Sequence, residues 1–260
     1  MTVGLDCDGC VHPGITSSPL RSLPFTTAPL AWTSATSGVR NLSWVISKSN
    51  RDPLRSLLSE SSGCSPVVSR LRKVTLAGMA IESTMLALGT AAPAFSLSEP
   101  ATGATVSLDD LTGPALVVTF ICNHCPYVKH VAAGLAELGR DLADKGVAMV
   151  GISSNDVVTY PQDGPEQMVA EARNHGWTFP YLYDETQDVA RAFSAACTPD
   201  TFVFDGERRL VYRGQLDNSR PGNDLPVTAA DVRSAVDAVL AGQPVDADQR
   251  PSIGCGIKWR

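Results

Sequence analysis

The chain has 260 residues, 43% of them hydrophobic, enough to bury one substantial core or two small ones. Its formal net charge of −6 argues against a nucleic-acid partner, because phosphate binding needs a basic face, and no run approaches the roughly 18 apolar residues of a membrane-spanning helix. Seven cysteines in a chain of this length are too few for a disulfide scaffold and are read one at a time.

The charge is unevenly spread. Residues 1–78 hold 8 Lys/Arg against 4 Asp/Glu (+4), whereas residues 79–260 hold 13 against 23 (−10). The first part is crowded with Ser and Pro and shows no sustained period of 2 or 3.6. It is expected to be a disordered or loosely ordered extension, with the working domain beginning near Met79 or Met85. Its first residues lack the basic and apolar regions of a secretory signal, so a cytoplasmic protein is expected. A Ser/Arg-rich leader also suits an organelle transit peptide, although Asp6 and Asp8 count against it. Cys7 and Cys10 are followed by no second ligand pair at zinc spacing and read as a chance pair.

From Pro93 the sequence becomes regular. "FSL" and "TVSL" around "SEPATGA" predict a short hairpin. "ALVVTF", Ala115–Phe120, is a continuous apolar run of the kind that forms a strand covered on both faces. Val128, Val131, Leu135, Leu138 and Leu142 then recur at spacings of 3 and 4, one face of a helix closed by Lys145 and Gly146. "VAMVGI" predicts a second buried strand. "DGPEQMVAEARNHG" predicts a helix with Pro165 and Glu166 in its first turn and Gly176 after its last. In "DETQDVARAF", Asp184 and Gln187 make a capping-box pattern. "TFVF" and "LVYRGQL" around "DGERR" predict a second hairpin, and Thr228 opens a last helix ending at Gly242. Alternating strands and helices, closed by a hairpin and a helix, imply one α/β domain over 79–260 with a central, largely parallel sheet.

The chemistry is concentrated in "TFICNHCPYVKH", Thr119 to His130. Cys122 is expected where the buried strand gives way to the helix, exposed at a helix N-terminus whose free N–H groups and dipole favour a thiolate. Cys125, one turn on, is placed to resolve a mixed disulfide formed at Cys122. His124, when protonated, is expected to add a cation beside Cys122 and make the pair more oxidising.

"CNHCPYVKH", "SNDVVTYPQDGPEQM", "CTPDTFVFD" and "PSIGCGIKW" occur here in that order. Together they resemble the redoxin branch of the thioredoxin superfamily, related to alkyl hydroperoxide reductase and thiol-specific antioxidant proteins, from Pro93 to the C-terminus. The resemblance implies a thioredoxin fold in its peroxiredoxin-like variant: a mixed sheet flanked by helices, with an N-terminal hairpin. It implies thiol–disulfide oxidoreductase activity through Cys122 and Cys125, an antioxidant role, and a cis-proline loop, Thr198–Pro199, facing the dithiol. Cys197 near that loop and Cys255 in a tail that folds back are candidates for a third redox cysteine. The implied partners are a disulfide-bearing protein or small molecule and a thiol reductant such as a thioredoxin or reductase system. No cofactor is implied.

Two rivals stand beside this reading. A thiol peroxidase would use Cys122 against a hydroperoxide. Thr119 has the spacing of the peroxiredoxin threonine, but Ala115 stands where those proteins place a proline. A copper- or zinc-binding module would draw on Cys122, Cys125, His130 and His124.

Overall fold

The fold is seen in a computed structural model that describes residues 80–260. The expected extension over 1–78, with Cys7 and Cys10, lies outside the described residues.

Ala115–Phe120 forms the central strand, β4, and all six of its residues are buried. In a strand, successive side chains point to opposite faces, and β4 feeds two cores in this way. Ala115, Val117 and then Ile121 enter one, while Leu116, Val118 and Phe120 enter the other. The first core is roofed by helix α1, Pro126–Asp144, whose Val128, Val131, Leu135, Leu138 and Leu142 are all buried against it. Each such aliphatic side chain contributes about 1.5–3 kcal/mol as an upper estimate. The second core holds Phe193, Phe202 and Phe204 around Phe120, with edge-on ring contacts between Phe120 and Phe193 and between Phe193 and Phe204.

The other strands are β1 (Ala80–Glu82), β2 (Ser96–Ser98), β3 (Thr105–Ser107), β5 (Ala148–Ser153), β6 (Tyr181–Tyr183), β7 (Cys197–Thr198), β8 (Asp200–Asp205), β9 (Leu210–Gly214) and β10 (Ile253–Gly256). The remaining helices are α2 (Pro165–His175), α3 (Asp188–Ala192) and α4 (Ala230–Leu240). Seven strands form the main sheet in the order β3-β2-β6-β5-β4-β8-β9. The β4, β5 and β6 strands run parallel, and β8, β9, β2 and β3 pair antiparallel around them. The sheet is therefore mixed.

Both hairpins, the helix face along α1 and the boundaries of α2 match their sequence signals. Gly176 closes α2 with φ 66°, the left-handed conformation that glycine adopts without penalty. Two helix starts differ from expectation. Gln187 is the N-cap of α3 but sends its side-chain amide to the Ser154 and Lys258 carbonyls, so no capping box forms; Asp184 alone accepts the Ala190 N–H, at 3.0 Å. The start of α4 is held from a distance, by Asp217 accepting the N–H groups of Thr228 and Ala229.

A second, three-stranded sheet, β1-β10-β7, was not anticipated as a sheet. It is built by the C-terminal tail, which runs antiparallel between β1 and the two residues that precede Pro199. The tail is tied in along its length: Ile257 N–H to Ala196 O at 3.0 Å, Lys258 N–H to Asn155 Oδ1 at 2.9 Å, and Ser252 Oγ to Gly214 O at 2.6 Å. Among the described residues, no helix is long and apolar enough to cross a membrane.

Candidate active site

Strand β4 ends at Phe120 and α1 begins at Pro126, so the dithiol occupies the five-residue turn between them. Proline suits the first helical position, where its missing N–H has no partner to lose, and this makes Cys125 the N-cap. The expectation that Cys122 sits exposed at the helix N-terminus is therefore corrected. Cys125 holds that position, Cys122 lies three residues upstream, and both are buried, with 1% of Cys122 and 0% of Cys125 exposed.

Thr198 presents two groups to the pair. Its hydroxyl lies 3.4 Å from Cys122 Sγ, and its carbonyl oxygen accepts from the Cys125 thiol at 3.2 Å. The following bond to Pro199 is cis. Cys122 and Cys125 are neighbours that titrate together, Cys125 held down and Cys122 pushed up. The neighbouring thiols of Cys122 and Cys255 outweigh burial and hold Cys125 below the usual thiol range. Cys122 is pushed up by its neighbour Cys125, by burial, and by the negative charge of Asp163. The two sulfurs share one proton and titrate as a unit. With the proton on Cys125, Cys122 is the thiolate.

Asp163, in the loop before α2, was missed by the sequence reading. Its carboxylate is fully buried and accepts the backbone N–H groups of Asn123 (2.9 Å) and His124 (3.1 Å), the Asn155 amide (2.8 Å) and the His124 ring at Nδ1 (2.6 Å). Burial acts to raise it, but the His124 and Asn155 bonds and the histidine charge win and hold it below the ordinary carboxylate value. Tyr181 completes the support of the turn by donating to Asn123 Oδ1 at 3.0 Å. The expectation of His124 as a free cation beside Cys122 is corrected by the same contacts. Its ring is bonded to Asp163 and stacked on Tyr160 at 5.4 Å, and the net influence reaching Cys122 from that side is the carboxylate's. The only advance signal for Asp163 was its place in "YPQDGPEQM", where it read as a helix-start residue.

The other candidates divide cleanly. Thr119 points into the α1-side core, and its hydroxyl pairs with Thr201 Oγ1 at 3.0 Å, not with Cys122. His130 is turned to Ser219 at 2.7 Å. Among the described residues, the group that brings possible metal ligands within 4.8 Å of one another is Cys122, His124 and Asp163, which is not the set expected from sequence. Cys197 is buried with its thiol toward Pro199 O at 3.6 Å, and burial, followed by the charge of Asp200, pushes it well up. Asp200, just after Pro199, is itself pushed up to about 7 by burial, and its Oδ1 has no partner. Cys255 pairs with Thr198 in the tail strand and so lies beside the pair, and its thiol is pushed up first by Cys125 and then by burial.

The AhpC/TSA family model matches residues 88–213. An uncharacterized conserved protein from Geobacillus kaustophilus is 53% identical and superposes with a TM-score of 0.69, covering 70% of this chain and 96% of its own. A hypothetical protein from Sinorhizobium meliloti 1021 is 48% identical with a TM-score of 0.68, covering 69% of this chain and 98% of its own. No curated protein matches the chain. A mixed sheet flanked by helices, with two cysteines in the turn after the central strand, defines a thioredoxin-fold redoxin. Over residues 88–213 the chain matches the AhpC/TSA family.

Proposed function

We propose that the protein is a thiol–disulfide oxidoreductase whose working pair is Cys122 and Cys125. The observation that carries this reading is that Thr198 meets both sulfurs at the start of α1, its hydroxyl 3.4 Å from Cys122 and its carbonyl oxygen 3.2 Å from Cys125. Cys122, its proton passed to Cys125, attacks one sulfur of a substrate disulfide, forms a mixed disulfide and expels the other sulfur as a thiolate. Cys125 loses its proton and attacks Cys122 Sγ, and the second substrate thiolate leaves. The enzyme holds a Cys122–Cys125 disulfide and the substrate has gained two electrons; an external thiol reductant returns the pair to dithiol. The helix terminus, with Cys125 as its N-cap, favours Cys125 as the ionised resolving sulfur. The substrate is a disulfide-bearing protein or small molecule, and no bound cofactor enters the steps.

The match to the AhpC/TSA family supports a second reading, in which Cys122 attacks a hydroperoxide. The Cys122 thiolate would become a sulfenic acid, and Cys125 would condense with it, releasing water. The pairing of Thr119 with Thr201 weighs against it, since the hydroxyl lies away from Cys122. Reduction of insulin disulfides at the expense of dithiothreitol tests the first reading. Cys122→Ser is expected to abolish the catalysed rate; a variant that keeps wild-type turnover removes Cys122 from the mechanism. Faster turnover of hydrogen peroxide than of disulfides would favour the second reading instead.

A further inference from the structure

The C-terminal tail is placed against the dithiol by its backbone. Cys255 pairs with Thr198 in the β10–β7 register, and Thr198 is the residue whose hydroxyl and carbonyl meet Cys122 and Cys125. The approach is so close that a Cβ on Gly254 would lie 2.0 Å from Thr198 O, a distance no side chain tolerates. Hydrogen bonds on both sides of Cys255, at Ser252 and Ile257, hold the strand in that position. Thr198 thus brings three thiols together, with Cys125 neighbouring both Cys122 and Cys255. The three are graded in exposure: 0% at Cys125, 1% at Cys122 and 8% at Cys255. Cys197, on the same strand as Thr198, directs its thiol to Pro199 O instead and stands outside the group. Cys255 also lies beyond residues 88–213, the stretch matched by the family model.

We propose that Cys255 is a third redox cysteine, which exchanges with Cys125 and so moves the disulfide from Cys122–Cys125 to Cys125–Cys255. This rests on the dithiol reading above. The step is an isomerisation of the oxidised protein. Cys255 gives up its proton and attacks Cys125 Sγ; the Cys125–Cys255 bond forms, the Cys122–Cys125 bond breaks, and Cys122 leaves as a thiolate that takes up a proton. No electron enters or leaves. The exchange frees the attacking sulfur and carries the oxidised state to the most exposed of the three sulfurs, where an incoming thiol reductant meets it. A buried pair that must also be reduced by a second protein gains a route to the surface.

The test is disulfide mapping of the full-length chain, equilibrated in a glutathione redox buffer, quenched in acid, alkylated and digested without reduction. Cys122 and Cys125 share one tryptic peptide and Cys255 lies in another, so the two disulfides differ as an internal and a cross-linked species. In Cys122→Ser, the Cys125–Cys255 cross-linked peptide is expected to become the main oxidised form. In Cys255→Ser, only the internal Cys122–Cys125 disulfide should form. Cys122→Ala serves as a second background, and near-UV circular dichroism confirms that each variant is folded. If the wild type forms Cys122–Cys125 but neither Cys122 variant links Cys125 to Cys255, the relay is wrong and the dithiol reading stands. If the wild type forms no Cys122–Cys125 disulfide in buffers oxidising enough to pair glutathione, the dithiol reading itself falls.

Discussion

Asp163 acts on Cys122 through its charge, and His124 acts on Asp163, so the structure ranks the carboxylate first. The carboxylate is buried, within 4.8 Å of Cys122, and its charge pushes the thiol up; the histidine spends its ring nitrogen on that carboxylate. Asp163→Asn should therefore move the pH profile of iodoacetamide alkylation at Cys122 to lower pH, because alkylation follows the thiolate. His124→Ala removes the ring bonded to Asp163 and should move the same profile to higher pH. A shift of both variants in one direction would contradict the ranking. The asparagine variant should also lose about 1–3 kcal/mol, since buried donors are left facing an amide that cannot accept from all of them. The sign of the linkage follows from the lowered value of Asp163. Its contribution to stability is present above the ordinary carboxylate range and is lost as pH falls through its folded value. The sequence could not show Asp163 because it meets Asn123 and His124 across 40 and 39 positions of chain, a distance at which periodicity carries no signal.

At the level of elements, what was legible in the sequence is what repeats. The run Ala115–Phe120 and the 3–4 spacing along α1 were both visible, because a strand buried on two faces must be apolar throughout and a helix on one face only periodically. The tail was not legible as a strand. β10 has four residues, two of them glycine, and its partner β7 has two, so neither offers a pattern. The helix-terminus argument named the right physics and the wrong cysteine, because Pro126 fixes the N-cap at Cys125. Gly254 is the position where the tail depends on one residue. Gly254→Ala sets a methyl group into the Thr198 carbonyl and should lift β10 from β7, destabilising the protein by about 1–3 kcal/mol. Alkylation of Cys122 and Cys125 should become faster than in wild type, because the strand that covers them is displaced. An unchanged melting temperature together with an unchanged alkylation rate would show that the tail does not shield the pair.

For the whole molecule, the two cores on either side of β4 and the short sheet at the tail converge on one turn, Ile121–Cys125, and leave its sulfurs almost wholly covered. Such a site reacts only with a partner that reaches it. The proposed division of labour between an attacking and a resolving cysteine is therefore best seen when the second step is blocked. With Cys125→Ser, the mixed disulfide formed at Cys122 has no sulfur beside it to release the substrate. Full-length Cys125→Ser, incubated with oxidised glutathione and weighed intact by mass spectrometry, should accumulate one glutathione per chain, mapped to Cys122. An unmodified chain, or an adduct on any other cysteine, would contradict Cys122 as the sulfur that opens the reaction.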